Sequence, residues 1–147
     1  MATTTATITL ASTDIADNAL SISNTMTLTT AGTTTGLTET TGLARKKIAS
    51  ATEVDLITRD NIDVTASKSA KVYIKNTGTA TDKYALIGIG QATGTPIYLG
   101  RLYGGDWMVF PWLAAQTGGA GHANNEDITI KMDDATETVI EYMVFLE

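Results

Sequence analysis

Cysteine is absent from the 147 residues. That excludes disulfides and thiolate-ligated zinc, so stability has to come from packing or association. A cysteine-free chain fits a reducing cytoplasm, and it equally fits a particle that must survive outside one. Histidine occurs once, at His122, in the loop Gly118-Gly-Ala-Gly-His-Ala-Asn-Asn125. A lone His cannot make a His/Cys metal site, and no oriented nucleophile accompanies it as a partner for base catalysis. No apolar run approaches the roughly 18 residues of a helical membrane span. The N-terminus lacks the basic and apolar regions of a signal peptide, so none is expected. There is no Asn-x-Ser/Thr glycosylation site.

Positive charge is also short: ten Lys and Arg stand against sixteen Asp and Glu, for a net charge of −6. Nine basic and nine acidic side chains lie within residues 1–125, so the deficit falls on the last 22, which hold seven acids and Lys131. An acidic balance argues against nucleic-acid binding, which requires a basic patch. The one basic cluster, Arg45-Lys46-Lys47, reads as a solvated strand edge on which charge blocks unwanted pairing.

What the chain does have is threonine, alternation and one dense aromatic segment. Sixteen of the first 41 residues are Thr. Ala6-Thr-Ile8-Thr-Leu10 and Leu20-Ser-Ile22-Ser-Asn24-Thr-Met26-Thr-Leu28 alternate with period two, which predicts half-buried strands with Thr and Ser on the exposed face. Ser12-Thr-Asp14 and Asp17-Asn18 read as turns, and residues 1–18 as an extended arm. Ala31–Gly42 reads as a polar loop; its echo Thr34-Thr-Gly-Leu37 and Thr40-Thr-Gly-Leu43 falls short of the three or so copies a solenoid needs. Leu43–Ser50 and Thr52–Thr58 are candidate strands, with a helix over Arg45–Arg59 as the alternative. Arg59-Asp-Asn61 is a turn.

From Ala70 the pattern sharpens. Lys71–Asn76 is a strand ended by the turn signal Asn76-Thr-Gly78. Lys83–Ile89 is nearly all apolar, as expected of a central strand. Ile97–Tyr103 and Trp107–Trp112 flank Gly104-Gly105-Asp106. Asp127–Met132 and Thr138–Leu146 flank a tight turn near Asp133-Asp134-Ala135 and read as one hairpin. Ala114–Asn125 is a loop. Both faces of the last strand are largely apolar, which places it inside a sheet or at a subunit interface. Eight to ten short strands without a long amphipathic helix predict one all-β domain over residues 1–147, an antiparallel β-sandwich or barrel.

Two constellations resemble chemistry without its parts. Gly88-Ile-Gly90-Gln-Ala-Thr-Gly94 approximates a dinucleotide fingerprint, but its third glycine is one position late. Pro96 and another strand follow where the phosphate-binding helix must start. The acids Glu126, Asp127, Asp133, Asp134 and Glu137 sit at turns and strand ends, where Asp is common for backbone reasons, and form no Asp-x-Asp-x-Asp-Gly loop. No catalytic, cofactor or metal residue is therefore assigned, and no enzyme activity is expected.

The aromatic segment is the sharper signal. Tyr98, Tyr103, Trp107, Phe110 and Trp112 are five of the nine aromatics, within 15 residues. Trp107 and Phe110 have opposite parity on a strand, whereas Phe110 and Trp112 share a face. One face is expected to serve the core and the other a contact with protein, or alternatively to stack sugars as in a carbohydrate-binding module. Trp107, Phe110, Trp112 and Tyr103 are the candidate core or interface anchors, with Phe145 in the core behind them.

Lys71-Val-Tyr-Ile-Lys-Asn76, Ile97–Trp112, Asp127–Met132 and Val139–Glu147 together resemble the small virion structural β-proteins of tailed bacteriophages. The likeness is to the capsid decoration or head-protrusion type of marine and cyanobacterial phages. It covers roughly residues 70–147 and is one of pattern and composition. It implies a jelly-roll-like sandwich, no enzymatic residues, and a place in the virion after assembly in the host cytoplasm. The implied partners are the major capsid protein or other virion proteins and further copies of the chain, in a trimer or another symmetric ring. A tail, neck or fibre component is the alternative within the particle. No nucleic-acid or membrane partner is expected.

Overall fold

The computed structural model describes residues 4–13, 20–29, 39–62, 70–113 and 127–146. Eleven strands lie among them. They are β1 (Thr4–Ser12), β2 (Leu20–Leu28), β3 (Glu39–Thr40), β4 (Ala44–Ile48), β5 (Val54–Ile57) and β6 (Ala70–Asn76). The remainder are β7 (Tyr84–Ile89), β8 (Ile97–Tyr103), β9 (Trp107–Trp112), β10 (Ile128–Met132) and β11 (Thr138–Leu146). The helix considered over residues 45–59 is two strands, followed by a short 3-10 turn at Arg59–Asn61. Short β3 lies at the end of the stretch read as polar loop; residues 30–38 and 114–126, with His122 and Glu126, fall outside the described residues.

Two antiparallel sheets face each other. Sheet I has the order β4-β11-β6-β9, with β3 continuing the β4 edge along the far end of β11. Sheet II has the order β5-β10-β7-β8. From β4 onward the chain alternates between the sheets, apart from the adjacent pair β7–β8. Those orders are the two interlocked Greek keys of an eight-stranded jelly roll. Strands β8 and β9 are thus not a hairpin: the Gly104-Gly105 turn carries the chain from one sheet to the other. The reading of β10 and β11 as one hairpin is likewise corrected, because they belong to opposite sheets. Pairing of β10 with β7 and of β11 with β6 puts apolar residues of both strands into the same core, which a local hairpin would not do.

The core forms where the inner faces meet. Sheet I contributes Val72, Ile74, Ile140, Val144, Leu146 and Trp112; sheet II contributes Ala85, Ile87, Leu102, Ile128, Ile130 and Met132. The strict alternation of β6, buried at Ala70, Val72, Ile74 and Asn76, is the sequence pattern made physical. Each large aliphatic side chain so buried stabilises by roughly 1.5–3 kcal/mol. Pro111 is accommodated because β9 is the edge strand of sheet I among the described residues.

Asn76 is buried at one end of the sandwich. Its amide donates to the Leu102 carbonyl at 3.0 Å and its Oδ1 accepts from Gly78 N at 2.9 Å. The Gly105 N–H donates to the Asn76 carbonyl, and the Asn76 N–H to that of Asp106, each at 3.0 Å. The glycine turn is therefore latched to β6. Gly104 is required there, since a Cβ would lie 2.5 Å from the Ala80 carbonyl oxygen; Gly105 has φ +91°.

Strands β1 and β2 form a separate two-stranded ribbon, with Ala6 opposite Met26 and Leu10 opposite Ile22. The alternation is present, but the expected half-burial is not. Only Leu28, at the base, is fully buried, while Ile8, Leu10, Leu20, Ile22 and Met26 are 40–51% exposed. The ribbon belongs to neither sheet, and among the described residues most of its apolar face is left partly exposed.

Candidate contact surface

The outer face of sheet I carries residues of opposite parity to the core. The pairings Met143↔Tyr73↔Val109 and Phe145↔Lys71↔Pro111 set these residues in rows across the three strands. Trp107 stands one pair further along, opposite Lys75. The base of the ribbon lies over this face. Ala6 and Leu28 meet Tyr73, Trp107, Val109 and Phe145 around a cleft of about 210 Å³. Further out, Ile8 and Leu10 border a more open cleft of about 450 Å³ against Trp107, Met108 and Val109. The Tyr73 and Trp107 rings are tilted at 41° with centroids 6.4 Å apart.

A charged rim closes one side. Arg45 holds Glu141 at 2.9 Å, and the Tyr73 hydroxyl donates to Glu141 Oε1 at 3.3 Å. Burial first, and the Glu141 carboxylate second, push the Tyr73 hydroxyl above its ordinary pKa. The remaining basic cluster is spent along the same edge: Lys47 pairs with Glu137 at 2.8 Å, and Lys46 Nζ donates to the Asp55 carbonyl at 2.7 Å. This is the guarded sheet edge that the run of charge implied.

The five anchor candidates do not converge. Trp112, 4% exposed, lies in the core between the sheets with half-buried Phe110. Trp107 points the other way and is 48% exposed. Phe145 is 8% exposed, but it lies beneath the ribbon on the outer face of sheet I and not in the core behind the tryptophans. On β11 its neighbours Val144 and Leu146 take the inward positions, so parity turns Phe145 outward. Tyr103 sits on the outer face of sheet II, edge-on to Tyr84 at 5.6 Å. Tyr73 and Val109 complete the surface under the ribbon; their parity, opposite to Val72, Ile74 and Phe110, is the signal that could have singled them out.

Sheet II carries a polar cluster with no local sequence signal, because its members are far apart in the chain. Lys131 Nζ lies 2.9 Å from Glu53 Oε1 and 5.1 Å from the centre of the Tyr98 ring, while the Tyr98 hydroxyl also donates to Glu53. The bond from Tyr98, then that from Lys131, holds the Glu53 carboxyl down to about 2. Arg101 stacks its guanidinium 4.5 Å over Tyr84.

Asp127, Asp134 and Gly88 have structural work. Asp127 is buried and accepts the Arg59 N–H at 2.8 Å, fastening the 3-10 turn. Asp134 accepts the Thr136 N–H at 2.8 Å and pairs with Lys83; the Lys83 bond foremost draws its carboxyl down to about 2. Gly88 admits Tyr98 and Pro96 against the β7 backbone, where a Cβ would lie 2.9 Å from Thr129 Oγ1. Among the described residues no three His, Asp or Glu side chains gather where one cation could be held. No described helix is long and apolar enough to cross a membrane. Comparison with known protein families, with curated proteins and with solved structures returns no match.

Proposed function

We propose that this chain is a non-enzymatic structural protein of a tailed-phage virion, a capsid decoration protein that attaches to the head through protein contacts. The observation that carries the reading is the uncovered apolar surface of the threonine-rich ribbon on a jelly roll. Large apolar side chains exposed in one contiguous region mark sites of protein contact. Two strands alone are marginal in water, and a ribbon of this kind is stabilised by what it lies against. In the proposed role Trp107 and the ribbon meet neighbouring subunits, the major capsid protein among them. Trp112 and Phe110 keep the sandwich rigid behind that surface. The pattern likeness over residues 70–147 supports the same class.

Mass spectrometry and immunogold labelling of purified particles test the reading. The chain should be present at a fixed copy number, with label on the head. Label on tail, neck or fibre would move the assignment within the virion, and absence from particles would overturn it.

A second reading, a carbohydrate-binding module, is favoured by one feature: exposed Trp107 beside Tyr73 offers a ring face to a sugar. Titrating glycans against tryptophan emission separates the two. A saturable shift lost in Trp107→Ala supports sugar stacking; no shift leaves Trp107 to protein contact.

A further inference from the structure

The open side of the sandwich, between β4 of sheet I and β5 of sheet II, holds a cleft of about 450 Å³. Core residues Leu56 and Ile57 and half-buried Ile62 give it an apolar floor. The 3-10 turn fastened by Asp127 forms one wall. Lys46 enters from the other. It stands opposite the core residue Ile140 on β11 and so shares the inward face, whereas Arg45 and Lys47 point outward and pair with Glu141 and Glu137. The Lys46 ammonium is held 2.7 Å from the Asp55 carbonyl oxygen. A neutral carbonyl fixes the ammonium in place but leaves its charge unmatched, with two N–H donors to spare. No carboxylate among the described residues pairs with it. Tyr142 and Asn61 also line the cleft. Neither the hydroxyl of the one nor the side-chain amide of the other has a hydrogen bond among the described residues.

We propose that this cleft is a binding site for a small amphiphilic carboxylate, with the head at the Lys46 ammonium and the apolar body on Leu56, Ile57 and Ile62. An apolar floor with a few unspent polar groups on its walls is the composition of a small-molecule site. The fixed, unmatched positive charge selects an anionic head. One ammonium without an arginine fork is a point contact, which suits a singly charged carboxylate better than a phosphate. The Tyr142 hydroxyl and the Asn61 amide supply further hydrogen bonds to the head. The cleft beside Asn76 makes the contrast: its Lys83 is already matched by Asp134, so it offers an anion no such charge. The site lies apart from the contact surface on the outer face of sheet I, and the inference does not rest on the virion reading.

Titration of octanoate into the purified full-length chain, followed by calorimetry and by amide NMR shifts, tests it. Saturable one-to-one binding is expected, with a Kd of about 1 mM or tighter. The shifts should centre on Leu56, Ile57, Asn61, Ile62 and Tyr142. Octanol, with the same tail and no charge, should bind at least about tenfold more weakly, as should octanoate to Lys46→Met, because each loses a charge-assisted hydrogen bond. Lys47→Met, on the outward rim, should bind octanoate as the wild type does. Binding that does not saturate overturns the proposal, as do shifts centred elsewhere, octanol bound as tightly as octanoate, or a folded Lys46→Met chain of unchanged affinity. Emission from buried Trp112 shows whether that variant keeps its fold. Should it unfold, the shift map and the octanoate–octanol comparison on the wild-type chain decide.

Discussion

Trp107 and Trp112 are five residues apart, and their opposite parity gives them opposite work. Trp112→Ala removes a ring from the core and should cost ~3–5 kcal/mol in chemical denaturation. That is a large part of the 5–15 kcal/mol that holds a domain of this size together. Trp107→Ala removes an exposed ring, so stability should change by about 0.5 kcal/mol or less while association weakens. Asn76→Ala leaves the Gly78 N–H and the Leu102 carbonyl without their partner in a buried place, and about 1–3 kcal/mol should be lost. At Gly104, where the obstructing atoms are backbone, Gly104→Ala should cost a similar ~1–3 kcal/mol. Glu53 and Asp134 set the acid behaviour. Their carboxyls, ordinarily at 4.5 and 3.8, sit at about 2 in the folded chain. The folded state therefore binds these protons less readily than the unfolded one. The stability they contribute is complete above pH 4.5 and is lost as pH falls toward 2. Stability measured along that range should fall, and the fall should be shallower in Glu53→Gln.

At the scale of elements, the ribbon and the sandwich differ in what holds them. The core draws on both sheets, and no residue of β1 or β2 belongs to it. A chain beginning at residue 39 should still unfold cooperatively, with a loss of roughly 1.5–3 kcal/mol for the uncovering of Phe145. Calorimetry checks this, and a truncated chain without a cooperative transition would make the ribbon part of the fold. Most strands were legible in the sequence, because period-two alternation and glycine or aspartate turns are local signals. Strands β6, β7, β9 and β11 lie close to where alternation and flanking turns put them. The destination of each strand was not legible. Asp133-Asp134-Ala135 reads as a hairpin turn and Gly104-Gly105-Asp106 as a turn between two strands, yet both cross between sheets. A tight turn fixes chain reversal, and only long-range pairing such as β11 with β6 decides which sheet receives the strand. Phe145 was misplaced for a related reason: both faces of β11 are apolar, and its parity relative to the core became readable only once Val144 was known to point inward.

For the whole molecule, the jelly roll is a scaffold that many functions share, so function has to be argued from its surfaces. The described surface offers paired charges and structural carboxylates on one side and an uncovered apolar ribbon on another. The first accounts for Asp127, Asp134 and Glu137 among the acids that resembled a catalytic cluster. The second is the feature a shell component would use. The ribbon's apolar stripe was visible as alternation, but its exposure was not, because a period of two looks the same whether the apolar face is covered by the subunit or left for a partner. Titration of the purified chain onto empty tailed-phage heads lacking it is the most direct measurement of the proposed role. Saturable binding at a fixed ratio per capsomer is the expected result, and binding that never saturates, or none at all, would contradict it.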